Sequence, residues 1–274
     1  MEVIVLGSGS PLPDPARAGP STLVRTGAGD LLIDCGRGVL MRAAAVASGA
    51  GAFRAVLLTH LHSDHLCDFN DVVTTRWVTS LQPSPLPVIG PAGTEQLVDA
   101  TLAMLEPDIG YRLAHHADLD WRPECVVREV ERGVVLEEGG VRVTVAPSDH
   151  APVRPTVAYR VDEGATSVVL AGDTVPCAGL DELCAGADVL VHTVVRRDLI
   201  EAIGVPRLLD VLDYHSAVQD AARTAARAGV GTLVLTHLVP PPPPGTEGEW
   251  RAQAEEYYDG EVLVAADLTR AAVG

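Results

Sequence analysis

The run Ala55-Val56-Leu57-Leu58-Thr59 ends directly on His60-Leu61-His62-Ser63-Asp64-His65, and this junction constrains the chain more than any other stretch. A short apolar segment of this kind reads as a strand buried on both faces. Three imidazoles and a carboxylate follow it at once. Neutral imidazole and carboxylate are the donors that zinc prefers, and neither an ordinary surface nor an ordinary core concentrates them so tightly. On an extended segment His60 and His62 point the same way. Asp64 and His65 then turn toward a neighbouring position, so one loop can serve two cations. Each cation still needs donors from elsewhere. Candidates stand at His150, Asp173, His215 and His237, each at or just past the end of an apolar run or in a loop. His150 and His237 can each add one imidazole, and Asp173 has two oxygens with which to bridge. The fold must therefore bring several strand ends to one rim.

The remaining sequence fits that demand. Val/Ile/Leu-rich runs recur between Gly and Pro residues, at Val3–Leu6, Leu31–Ile33, Val56–Leu58, Val88–Ile89, Val141–Val145, Val168–Leu170, Val189–Val191 and Leu233–Leu235. Helical patterns lie between them. Thr94 is expected to cap a helix running to about Leu105. Ser216 with Gln219 is expected to form a capping box, with that helix stopping at Gly229. Alternating strands and helices give an α/β class. The stretch Ala55–His60 is echoed by Thr232–His237, both strands ending in Thr-His. Pro240–Pro244 reads as a stiff connector close to His237. No linker-like break divides the 274 residues, so one domain over 1–274 is expected.

Charge and cysteine content narrow the setting. The net charge is −17, and all 20 basic residues are arginine. A polyanion is repelled by such a surface unless arginines cluster locally, although a nucleic acid can still meet a metal centre through one phosphate. Five cysteines with no Cys-x-x-Cys spacing read as reduced thiols. No basic region and apolar stretch precede the first strand, and no run approaches the ~20 apolar residues of a membrane span. A cytoplasmic protein without membrane contact is the expectation.

The sequence His60-x-His62-x-Asp64-His65 resembles the signature of the metallo-β-lactamase superfamily. The likeness extends to Leu6-Gly-Ser-Gly9, Ile33-Asp-Cys-Gly36, Gly172-Asp-Thr174, Asp213-Tyr-His-Ser216 and Leu235-Thr-His237. The resemblance implies a four-layer αββα sandwich with a dinuclear zinc site at one edge, manganese or iron being tolerated by similar ligands. It implies one zinc on His60, His62 and His150, a second on Asp64, His65 and His237, and Asp173 bridging them. It also suggests a homodimer. His150 followed by Thr156–Arg160, and His215-Ser216 before a helix, look like the ribonuclease Z branch, which holds transfer-RNA 3′-processing endonucleases and relatives acting on other phosphodiesters or aryl sulfates. Three departures weigh against transfer RNA. Thr193 follows His192 where that branch carries glutamate, only a short hairpin over Val161–Val169 occupies the interval where one version carries a long arm, and the chain is acidic.

The expected enzyme is thus a zinc-dependent hydrolase, a ribonuclease Z-like phosphodiesterase attacking through a metal-bridged hydroxide. The alternatives are an aryl-sulfatase-like or other small-ester hydrolase, and a non-catalytic metal module. Asp64 would ligate metal and orient the nucleophile, and His215 would protonate the leaving oxygen. Asp34 is a candidate acceptor behind a ligand histidine. His192 and the His115-His116 pair read as structural, Cys67 as a small buried hydrophobe, and Arg17 as a solvated cation. Ser8 and Ser10 lie in a Gly-rich loop with no helix behind it, which is a poor phosphate cradle.

Overall fold

A computed structural model describes residues 1–274. Its strands are β1 (Glu2–Gly7), β2 (Ser21–Thr26), β3 (Gly29–Ile33), β4 (Phe53–Leu57), β5 (Leu86–Gly90), β6 (Cys125–Glu129), β7 (Gly133–Glu138), β8 (Val141–Pro147), β9 (Val157–Glu163), β10 (Thr166–Leu170), β11 (Val189–Val195), β12 (Thr232–Val239), β13 (Glu261–Val264) and β14 (Thr269–Ala272). They form two seven-stranded sheets, ordered β14-β1-β2-β3-β4-β5-β6 and β13-β12-β11-β10-β9-β8-β7. The helices are α1 (Val39–Ala45), α2 (Phe69–Thr79), α3 (Thr94–His115), α4 (Ala178–Cys184), α5 (Arg197–Ile203), α6 (Pro206–Leu209), α7 (Val218–Ala228) and α8 (Glu247–Glu255).

Both sheets are mixed, and most of the continuous apolar runs are parallel strands, Val3–Leu6 on antiparallel β1 being an exception. β3, β4, β5 and β6 pair parallel in one sheet, and β10, β11, β12 and β13 in the other. Parallel strands are covered on both faces, so the sequence cannot alternate with polar residues. On β4, Ala55 and Leu57 enter the core between the sheets, while Val56 faces the outer layer of α1 and α2 with Val39, Ala43, Phe69 and Val72. On β12, Val234 points between the sheets, while Leu233 and Leu235 meet Leu180, Ala221 and Trp250 of α4, α7 and α8. The result is the four-layer αββα sandwich. Each fully buried Val or Leu contributes about 1.5–3 kcal/mol relative to exposure, and the inter-sheet core and the two sheet–helix layers share that stabilisation.

Two helix boundaries differ from the sequence reading. The helix expected to end near Leu105 runs on to His115, through Pro107, with Gly93 as its N-cap. Proline deletes one helix hydrogen bond, but Ile109 beyond it packs with Trp77 and Leu119 and carries the helix on. The Thr94 hydroxyl donates to the Pro91 carbonyl at 2.7 Å instead of capping. Ser216 does not cap α7 either, because its hydroxyl donates to Thr174 O at 2.8 Å. The cap is Ala217, whose N–H donates to Asp220 Oδ2 at 3.1 Å. Gly229 ends the helix in the left-handed region at φ 68°, as expected. The Val161–Val169 interval is the tight β9–β10 hairpin.

One hydroxyl ties the sheets together beneath the strand end that carries His60. Tyr159 on β9 is buried, and its hydroxyl reaches Leu58 O at 2.8 Å and Ile89 O at 3.3 Å in the opposite sheet. Tyr159→Phe removes that bond and leaves a buried carbonyl short of a donor. We expect a loss of about 1–3 kcal/mol, read as a lower urea midpoint with unchanged slope. An unchanged midpoint would show that the bond carries no net weight.

Candidate metal centre

Strand carboxyl ends from both sheets converge on one edge. β4 ends into Leu58-Thr59-His60, β10 into Ala171-Gly172-Asp173, and β12 carries His237 near its end. His62 follows in extended backbone, and Ser63–His65 close a single 3-10 turn. The turn is what brings Asp64 and His65 to His237, with the His65 ring still packed 4.2 Å, centroid to centroid, from that of His60. The β4 and β10 ends approach so closely that a Cβ on Gly172 would lie 2.8 Å from the Thr59 Cβ. Gly172 also has φ +62°, so both space and conformation call for glycine. The His150 segment is laced to the Asp173 loop by Asp149 N–H to Thr174 Oγ1 at 2.9 Å and Val175 N–H to Asp149 O at 2.8 Å. Ser216 N–H to Thr174 O at 3.0 Å brings His215 to the same loop.

All the residues singled out by the sequence meet there. Oδ2 of Asp173 lies 3.2 Å from His215 Nε2, 3.5 Å from His65 Nε2 and His237 Nε2, and 3.8 Å from His60 Nε2 and His150 Nε2. His62 Nδ1 lies 3.1 Å from His60 Nε2 and 3.3 Å from His150 Nε2. Asp64 Oδ2 lies 3.3 Å from His237 Nε2 and 3.6 Å from His65 Nε2. The donor atoms of His60, His62, His150 and Asp173 all fall within 4.8 Å of one another, as do those of Asp64, His65 and His237. A tetrahedral zinc with Zn–N near 2.0–2.1 Å sets its donor atoms about 3.3 Å apart, which matches these separations. Buried His65 Nε2 and Asp173 Oδ1 have no hydrogen-bond partner. An unpaired polar atom in the interior costs several kcal/mol, and a divalent cation relieves that cost, so the donor set fits divalent metal.

Three of the rings are fixed from behind, whereas the buried Nδ1 of His237 has no partner. His65 Nδ1 faces Asp34 Oδ2 at 2.8 Å, His60 Nδ1 faces Thr59 Oγ1 at 3.0 Å, and His150 Nδ1 faces Tyr214 O at 2.8 Å. Asp34 also accepts the Thr59 N–H at 2.9 Å and hydroxyl at 2.8 Å. Asp34 and His237 both adopt positive φ, 59° and 50°, a region that residues with a Cβ seldom enter. Such strain concentrates where side chains must be aimed.

Burial pushes the imidazole pKa of His150 down to about 4, and that of His60 well below the usual histidine value. Burial also pulls His62 down. These rings are therefore neutral donors near pH 7, the form a cation requires. Burial opposes ionisation of Asp173, but His237 and His65 outweigh it and hold the carboxyl well below the usual range. Burial likewise pushes His65 down, yet Asp173 and Asp34 raise it well above normal.

The remaining candidates separate clearly. His192 is buried at a strand end, with Nδ1 on Thr193 O at 2.7 Å, as expected for a structural histidine. His115 and His116 are exposed. Cys67 is exposed, not a buried hydrophobe, because the 3-10 turn carries it outward. Arg17 is not solvated: its guanidinium is tucked in, donating to Ser8 Oγ and Ala265 O, both at 2.8 Å. The sequence reading missed Thr59 and the Tyr214 carbonyl as positioning groups. The Thr-His echo was a signal for Thr59, but it carries only half the role, since the Thr236 hydroxyl makes no bond to another residue. Asp34→Asn should place a donor against His65 Nδ1 and force the wrong tautomer. We expect zinc affinity to fall 10–100-fold in a chelator competition, with the far-UV spectrum unchanged; unaltered affinity would dismiss Asp34 as a positioning group.

A beta-lactamase superfamily domain matches residues 30–238. The ribonuclease Z of Mycobacterium avium (strain 104) is 59% identical over 100% of this chain and 98% of its own length. That of Mycobacterium tuberculosis (strain ATCC 25618 / H37Rv) is 55% identical with the same coverage. In three dimensions the human short-form tRNase Z superposes with a TM-score of 0.74 at 23% identity, covering 100% of both chains. YhfI of Bacillus subtilis, a metallo-beta-lactamase fold protein, also gives 0.74, at 24% identity over 100% of this chain and 98% of its own. Those two likenesses concern the fold; the mycobacterial proteins match along the whole chain, and the chain belongs to the ribonuclease Z family of the beta-lactamase superfamily.

Proposed function

We infer that this chain is a metal-dependent phosphodiesterase that cleaves RNA, with a transfer-RNA precursor as the leading substrate. The observation that carries the reading is Asp173 Oδ2, held within 3.8 Å of five imidazole nitrogens in a chain 55–59% identical to proteins named ribonuclease Z. The short β9–β10 hairpin does not oppose RNA as substrate. The alignments span 98% of those relatives' own length, leaving no room for a long arm in them either.

In this reading His60, His62 and His150 would hold one cation and Asp64, His65 and His237 a second, with Asp173 beside both donor sets. Two such cations supply Lewis acidity and lower the pKa of water toward about 7. The protein's own groups supply position and protons. Asp64 turns its carboxylate toward His237 and His65 and orients the attacking oxygen. His215 keeps its Nδ1 on the Val211 carbonyl at 3.1 Å and points Nε2 into the site beside Asp173. The backbone carbonyl fixes the ring plane, so that Nε2 can deliver a proton to the leaving oxygen without a glutamate at Thr193, whose hydroxyl is already committed to Gly172 O at 2.8 Å.

The reading is tested by comparing zinc-reconstituted protein on precursor transfer RNA, bis(p-nitrophenyl) phosphate and an aryl sulfate at equal enzyme. The phosphodiesters should turn over and the sulfate should not; turnover of the sulfate alone would overturn it. His215→Ala should lower kcat on the RNA by about 10²–10⁴ with metal content retained, whereas Asp64→Ala should lose both activity and metal. Full activity in either variant would remove that residue from the mechanism.

A further inference from the structure

One aromatic ring at the site is neither a metal-ligand candidate nor a proton donor. Tyr214 is half-buried at the rim, directly before His215. Its ring centroid lies 5.1 Å from that of His150, edge-on at 75°, and 4.7 Å from that of His215, tilted at 46°. Its backbone carbonyl holds His150 Nδ1, so main chain and side chain have separate duties. The phenol hydroxyl makes no hydrogen bond to another residue, unlike the buried hydroxyls of Tyr159 and Tyr258. The chain has only five tyrosines, three tryptophans and two phenylalanines, and Tyr214 alone among these aromatic rings packs against site histidines.

We propose that Tyr214 is a stacking platform for the nucleobase next to the scissile phosphate. A flat neutral ring beside the leaving-group histidine meets whichever base adjoins the phosphate held at Asp173. Every base has a π-face, so the platform improves binding without selecting sequence. Unstacked bases at RNA ends are held in this way by aromatic side chains. The surface is strongly acidic, with a net charge of −17, and phosphate contacts of the usual kind are disfavoured there. Stacking offers affinity that does not depend on positive charge. This inference rests on the reading of the site as a ribonuclease.

The test compares adenosine 5′-monophosphate with ribose 5-phosphate as ligands of the zinc-loaded protein by titration calorimetry. The native protein should bind the nucleotide about 5–100-fold more tightly. Tyr214→Ala should lose that preference while its affinity for ribose 5-phosphate stays within twofold. Tyr214→Phe and Tyr214→Trp should keep the preference. With RNA, Tyr214→Ala should raise KM by a similar factor and leave kcat within twofold, which a displaced His150 or His215 would not do. A preference that survives Tyr214→Ala, or one that Tyr214→Phe abolishes, overturns the proposal, the latter because the hydroxyl would then be responsible. Absence of RNA cleavage with the base preference intact would instead strike the ribonuclease reading and leave the platform standing.

Discussion

One carboxylate oxygen, Oδ2 of Asp173, sits among the nitrogens of His60, His65, His150, His215 and His237 at 3.2–3.8 Å. Those five rings come from segments after β4, before β9, after α6 and at the end of β12. The two sheets must therefore be held in place to within about 0.5 Å for the site to exist. The apolar layer between them supplies that register, since Leu57, Val168, Val191 and Val234 share one core. Gly172 allows the last step, the close approach of the β10 end to Thr59.

The same economy governs the groups behind the site. Asp34 spends both oxygens on Thr59 and His65, and so couples the aim of His65 to the strand end that carries His60. Tyr159 anchors the carbonyl of Leu58 one residue before Thr59. Backbone strain at Asp34 and His237 is offset by this surrounding packing, as expected where side-chain aim outweighs local comfort. On the other side of the site stand His215, which is buried, and Tyr214, which is half-buried.

Much of this was legible from residue types. The His60–His65 cluster and its partners His150, Asp173, His215 and His237 could be read from their chemistry and from their places at strand ends, and the parallel strands from their unbroken apolar runs. The less legible features depend on tertiary contacts. Nothing local tells that Ser216 will bond Thr174 and leave Ala217 as the cap, or that Ile109 will carry α3 through Pro107. Arg17 looks like any surface arginine until Ser8 and the Ala265 carbonyl are folded against it. Cys67 looks buried until the 3-10 turn at Ser63–His65 faces it outward. Tyr214 is silent in the sequence, because an aromatic residue is ordinarily core.

The central claim is that Asp173 joins two cation positions into one centre. Metal content per chain, measured by elemental analysis on native protein and on Asp173→Ala after the same zinc loading, tests it most directly. The account predicts two zinc ions per native chain and fewer than one in the variant, with the variant still folded by far-UV circular dichroism. A variant that keeps two zinc ions would contradict it.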